Sequence, residues 1–205
     1  MKINFLSPDL ILSGKIAIVG SSDLLLGSGS GSSIDSCEQV VRFNRAPALG
    51  YENDVGSKTT IRVVNNHVFA GKKLDPKKWK NQPADFVKKL RDLDICYFGP
   101  DLGPWQLRYS YTDSSCRLFR FKYEEMHALK SIFGYGRNKN FTVGVGFICA
   151  CVSSGIIPEV YGFDLENRHR GHYFEPTPPM GSCHDRDKEQ ILLKRLQDDG
   201  KIIIK

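Results

Sequence analysis

A short apolar strand that runs straight into small hydroxylated residues sets the first constraint on this chain. Lys15 to Val19 reads as a buried strand, and it breaks at Gly20-Ser21-Ser22 into a Gly/Ser-rich turn. An amphipathic segment follows, with Ile34, Val40, Val41 and Phe43 as its apolar positions. An α/β domain usually binds a nucleotide where a parallel strand ends in this way. Backbone N–H groups and Ser hydroxyls approach phosphate there without a Cβ in the way. Such strand ends are common, however, and a surface loop reads the same way. The triplet Gly27-x-Gly29-x-Gly31 raises the alternative of a dinucleotide-dependent oxidoreductase. It begins seven residues beyond Gly20, too late for the first tight turn of that fold.

A chain of 205 residues has the length of one domain, large enough to bury a core. Its net charge of +6 suits an anionic substrate. The densest basic run, Lys72 to Lys80, has only Trp79 as an interleaved aromatic. It reads as a solvated face rather than a nucleic-acid site, with peripheral contact to anionic lipid or glycan left open. No apolar run reaches the roughly 18 residues needed to cross a bilayer. Met1 to Ser13 is a poor signal peptide, since Pro8 and Asp9 interrupt its apolar stretch. The six cysteines form no CxxC pair and read as buried free thiols, which points to a reducing compartment.

The residues after the turn are far more specific. Ile34-Asp35-Ser36, Val40, Arg42, Asn44, Ala46-Pro47, Gly50-Tyr51-Glu52 and Asp54 to Thr60 fall at fixed spacings. Together they resemble the large sialylmotif of glycosyltransferase family 29, in register from Gly20 to Thr60 without a gap. A second stretch, Thr142-Val143-Gly144 to Tyr161-Gly162-Phe163, is similar to the family's small sialylmotif. It reads as a Gly-rich turn, a buried helix and a strand. His172-Tyr173-Phe174-Glu175 resembles the third motif, and His184 with Glu189 resembles the very small motif, in the family's order. The middle of the chain carries no such match. Val63-Val64, Ile95 to Phe98 and Leu118 to Phe121 read as strands, and Ala84 to Asp92 as a helix. Tyr123 to Phe133 reads as another helix, with Met126, Leu129, Ile132 and Phe133 on one side.

The resemblance implies a single Rossmann-like α/β domain of GT-A type over residues 1–205, with a mostly parallel central sheet flanked by helices. It implies an inverting sialyltransferase that moves sialic acid from CMP-sialic acid to the hydroxyl of a galactose-terminated glycan. Neither metal nor cofactor is expected. An acceptor hydroxyl needs a general base. Neutral His184 is expected to serve, with His172 meeting the phosphate of the leaving CMP. By the same resemblance Ser21, Ser22 and Asn44 hold phosphate or ribose oxygens. Thr142, Val143, Gly144, Gly162, Phe163 and Tyr173 surround the nucleotide, and Asp185 and Glu189 orient other groups.

Three departures qualify these expectations. The family usually has Asn at Ser21 and Thr at Val143, and two changes there suit a different CMP-activated acid such as CMP-Kdo. They also suit a catalytically weak CMP- or glycan-binding protein. The two cysteines that animal members join in a disulfide fall at Ile16 and Gly155. Their joint loss agrees with a cytoplasmic bacterial or viral member, and a Golgi setting would need an anchor beyond this chain.

Overall fold

The structure, a computed structural model, describes residues 12–65, 94–97, 118–120, 123–136, 139–166, 171–175 and 184–205. The expected helix at 84–92, the basic run at 72–80, and Cys116 and Cys183 lie outside the described residues.

The described strands form one seven-stranded sheet: β1 (Ile16–Val19), β2 (Gln39–Phe43), β3 (Ile61–Val64), β4 (Asp94–Tyr97), β5 (Leu118–Arg120), β6 (Glu159–Tyr161) and β7 (Ile203–Ile204). Their order is β5-β4-β3-β2-β1-β6-β7, and every pairing is parallel. The chain winds outward from β1 to β5, then crosses back to lay β6 on the other side of β1. The winding direction therefore reverses between β1 and β6, and a crevice opens at the carboxyl ends of those strands.

Both faces of the sheet are covered, as a parallel sheet requires. Ile16 and Ile18 of β1, with Val41, Phe43, Ile61 and Val63, face one core. Ala17, Val19 and Val40 alternate to the opposite core, where Leu25, Ile34 and Val55 cover them. The helices are α1 (Gly31–Asp35), α2 (Glu52–Val55), α3 (Tyr123–Ile132), α4 (Val143–Ser153) and α5 (Arg186–Asp198). From Val145 through Cys151 every α4 residue is buried, so this helix is apolar all round because it lies inside the first core. Leu192, Leu193 and Leu196 of α5 join it there.

Several expectations shift on this frame. The single amphipathic segment is two elements, α1 and β2, separated at Ser36-Cys37-Glu38. The Gly-rich turn at residue 142 is the first turn of α4 itself, capped by Thr142, whose hydroxyl accepts from the Val145 N–H. Within α3, Leu129 is buried but Ile132 is exposed. Cys37, Cys149 and Cys151 are buried free thiols, and burial raises the pKa of each.

Candidate active site

A cavity of about 300 Å³ opens at the reversal point of the sheet. Gly20, Ser21 and Ser22 leave β1 into its floor, Phe43 and Asn44 leave β2, Asn65 follows β3, and Gly162 to Asp164 follow β6. The amino ends of α4 (Thr142 to Val145) and α5 (Arg186, Glu189, Gln190) close another side, and His172 and His184 complete the wall. Both helix ends bring partial positive charge and unbonded N–H groups toward this space. Ten of the eleven positions expected to catalyse or to bind the nucleotide thus meet in one place, and Glu189 joins them.

Gly144 and Gly162 in this wall are there for close approach. A Cβ on Gly144 would stand 2.9 Å from the Phe163 ring, and one on Gly162 (φ +68°) would stand 2.6 Å from Leu25 Cδ1. Asn44 is a non-glycine residue with φ of 46°. Its N–H donates to the Val63 carbonyl at 2.8 Å, and its Oδ1 accepts from the Asn65 N–H at 3.1 Å. That second bond turns the carboxamide so that its N–H groups are left for the cavity. A strained backbone at a strand end is a mark of functional sites.

His172 is pinned above β1 by its neighbours. Asp23 N donates to the Gly171 carbonyl at 2.9 Å and Tyr173 N to the Ser21 carbonyl at 3.0 Å, a small antiparallel bridge between the two loops. Its ring stacks on Phe174 at 5.3 Å, and Nδ1 lies 3.5 Å from Glu175 Oε1.

His184 is held differently. Its Nδ1 lies 2.9 Å from the backbone carbonyl of Asn140. A carbonyl only accepts, so the Nδ1 atom carries the proton, and Nε2 of the neutral ring keeps a lone pair. Asp185, the next residue, caps α5 by accepting from Lys188 N at 3.2 Å. The Tyr135 hydroxyl accepts from Asp185 N at 3.2 Å. Glu189 joins the two helix ends. Its carboxylate accepts from the Thr142 N–H, and from the Thr142 hydroxyl at 2.9 Å. Burial raises the Glu189 pKa, and the Thr142 donors and His184 work against that rise.

With this geometry in view, the likeness to known proteins is specific. The profile of glycosyltransferase family 29 (sialyltransferase) matches residues 14–96. A CMP-N-acetylneuraminate-beta-galactosamide-alpha-2,3-sialyltransferase 2 from Mus musculus is 30% identical over 207 residues, covering 92% of this chain and 55% of that protein. This chain belongs to glycosyltransferase family 29. It spans about half the length of its curated mouse relative. Two solved structures share the fold. One is a mammalian sialyltransferase in complex with Gal-beta-1-3GalNAc-ortho-nitrophenol, at 21% identity and a TM-score of 0.68, covering 96% of this chain and 70% of that one. The other is a Campylobacter jejuni sialyltransferase in complex with the substrate analogue CMP-3FNeuAc. It has 15% identity and a TM-score of 0.52, covering 94% of this chain and 81% of that one. The fold is therefore the expected GT-A-like α/β architecture of the sialyltransferases.

One expected donor-binding residue of this family-29 chain lies elsewhere. Tyr173 is outside the cavity wall, packed edge-on against Tyr51 at 5.0 Å, and its hydroxyl donates to the Pro47 carbonyl. Burial pushes its pKa up to about 12. The Gly/Ser loop also differs from its expected use. Gly27 N and Gly29 N donate to the two carboxylate oxygens of Asp54 at 2.9 and 3.0 Å, so those amides are occupied by the protein itself. Ser22 is partly committed too, because its hydroxyl accepts from Leu24 N at 3.2 Å.

Sequence reasoning missed Asn65, Arg186 and Gln190, all in the wall. It assigned no helix after His184, although the signals were present. Asp185 is an N-cap residue, Asp187 and Glu189 are acidic groups in the first turn, Leu192, Leu193 and Leu196 have helical spacing, and Gly200 follows the end.

Proposed function

We propose that this chain is the catalytic unit of an inverting transferase that moves sialic acid from CMP-sialic acid to a hydroxyl of a galactose-terminated glycan. The observation that carries this reading is the fixed His184 ring, whose Nε2 lone pair is available beside the cavity at the sheet's reversal point. In the proposed reaction Nε2 takes the proton of the acceptor hydroxyl as that oxygen attacks the anomeric carbon. The bond from that carbon to the CMP phosphate breaks, and the phosphate leaves with the added negative charge. His172, Arg186 and the amino end of α4 are the groups that meet this charge. The Asn140 carbonyl still holds Nδ1–H once His184 is an imidazolium, and the Glu189 carboxylate stabilises the new cation electrostatically. Asn44, through its free carboxamide N–H groups, is a donor to phosphate or ribose. No metal is assigned a step.

Family membership supports the CMP-sialic acid donor. The bound analogue CMP-3FNeuAc and the bound Gal-beta-1-3GalNAc acceptor in the two solved relatives support the ligand classes. The test is transfer from CMP-Neu5Ac to a galactose-terminated acceptor, followed by CMP release and product mass, with and without a chelator. His184→Ala should lower kcat by about 10²–10⁴-fold while CMP still binds, as loss of a positioned base does. The chelator should leave the rate unchanged. CMP binding with turnover only of CMP-Kdo would replace the donor. Transfer indifferent to His184→Ala would remove the base from the mechanism.

A further inference from the structure

We propose that Lys130 is a positioning residue for His184, acting through Asn140. This rests on the reading of His184 as the general base.

Lys130 lies in the last turn of α3 and is only 5% exposed, an unusual place for an ammonium group. Desolvation lowers its pKa below the usual lysine value. Its Nζ donates to Asn140 Oδ1 at 3.2 Å. The main-chain carbonyl of the same Asn140 accepts from His184 Nδ1 at 2.9 Å. One residue thus joins a buried cation to the imidazole, its side chain serving the first and its backbone the second.

Asn140 itself is exposed and lies outside any helix or strand, three residues before α4 begins. Secondary structure therefore does not set the orientation of its peptide group; Phe141, packed on Tyr135 at 4.2 Å, anchors the chain after it, and the bond from Lys130 holds its own side chain. The rest of the His184 segment is tied to the same region. Tyr135 follows the end of α3, its N–H donating to the Lys130 carbonyl at 2.8 Å, and its hydroxyl accepts from Asp185 N. The carboxyl end of α3 grips the catalytic loop at two points, and among the described residues the Lys130 point is the one that leads by hydrogen bonds to His184 Nδ1.

The consequence is tautomeric. With the Asn140 carbonyl held in place, the proton stays on Nδ1 and the lone pair stays on Nε2. Once the carboxamide of Asn140 is released to solvent, its peptide can rotate. The ring then samples the form with the proton on Nε2, which cannot act as a base. The charged groups near the ring, Glu189, Asp185 and Arg186, remain where they are in either case.

Three variants test this on the full chain: Lys130→Met, Lys130→Arg and Asn140→Ala. The readouts are the imidazole nitrogen spectrum of protein labelled at histidine, assigned with His184→Ala, and kcat and KM for CMP-Neu5Ac. The wild type should show His184 with its proton on Nδ1. Lys130→Met and Asn140→Ala should show mixed tautomers, kcat lowered about tenfold and donor KM within about twofold, a part of the full loss of a base. Lys130→Arg, which keeps a cationic donor, should recover most of both signals. A His184 spectrum unchanged in both disrupting variants, or a donor KM that moves as far as kcat, would overturn the proposal. Should Lys130→Met fail to fold, Asn140→Ala decides, since its side chain is exposed. The spectrum does not need turnover, so a wild type that transfers nothing defeats the proposed function and leaves the spectra to judge Lys130.

Discussion

At Glu189 the burial of a carboxyl and the donors aimed at it act in opposite senses. The side chain is 5% exposed, and burial raises its pKa above the ordinary 4.5 despite the N–H and hydroxyl of Thr142. A carboxyl with a raised pKa in the folded state binds its proton more tightly there than in the unfolded chain. Its contribution to stability is fully present below about pH 4.5 and is lost as pH rises through the folded value. Glu189→Gln keeps the shape and one acceptor but has no proton to lose. The stability of the wild type relative to Glu189→Gln should therefore be greatest below about pH 4.5 and decline as pH rises from there through the raised folded value. Urea unfolding of both proteins across that range measures it. A wild-type advantage that grows with pH would mean that the Thr142 donors, not burial, control this carboxyl.

The elements from α1 to β3 are held together by the polar residues of the large motif. Arg42, 1% exposed on β2, donates through Nη2 to the carbonyls of Val55, Gly56 and Lys58 at 2.6, 3.0 and 3.0 Å, and through Nε to the Thr59 hydroxyl at 3.0 Å. Asp35, at the end of α1, accepts from Ser57 N and Lys58 N at 2.8 and 2.9 Å. Burial alone would raise the Asp35 pKa, yet these donors hold it below the usual value. Most of this motif from Ile34 onward is thus a brace that sets the ends of β2 and β3, and from that stretch Phe43 and Asn44 reach the cavity. Arg42→Met keeps the length and removes the donors, leaving carbonyls unpaired in the interior. It should cost about 3 kcal/mol or more, read as a lower urea midpoint. A loss below about 1 kcal/mol would show that the α2–β3 turn relaxes to satisfy itself. The motif spacing made these positions legible in the sequence, but not the division of labour among them. Tyr173 illustrates the limit, since its place beside His172 does not tell that its ring turns to Tyr51. Lys130, Asn140 and Tyr135 were illegible for a related reason. They act through side-chain contacts between residues 10 to 50 positions apart, and no periodic pattern marks them.

On the scale of the whole molecule, the order of the strands decides where a ligand acts. The cavity wall draws on the ends of β1, β2, β3 and β6, the amino ends of α4 and α5, and the 172 and 184 loops. These parts are far apart in sequence, so a nucleotide seated there adds contacts between units that the sheet and a few loop bonds, such as Tyr173 N to the Ser21 carbonyl, hold together. The first half of this arrangement was readable, because the motifs name the strand ends in order. The reversal between β1 and β6 was not, since no local pattern tells on which edge a returning strand will pair. A ligand that binds only the folded arrangement stabilises it by mass action, by about 2.7 kcal/mol at a hundred times its Kd. For a chain of this size each kcal/mol raises Tm by roughly 2–4 °C. CMP at that level should therefore raise Tm by roughly 5–10 °C. The shift should follow the phosphate, so cytidine at the same concentration should give far less. Asn44→Ala should reduce the CMP shift, since its carboxamide is assigned to phosphate or ribose and its backbone bond to Val63 survives the change; an unaltered cytidine shift puts that contact on phosphate, and a reduced one puts it on ribose. Equal shifts with CMP and cytidine would mean that the base and sugar carry the binding, and that the cationic groups at the helix ends await the acceptor instead.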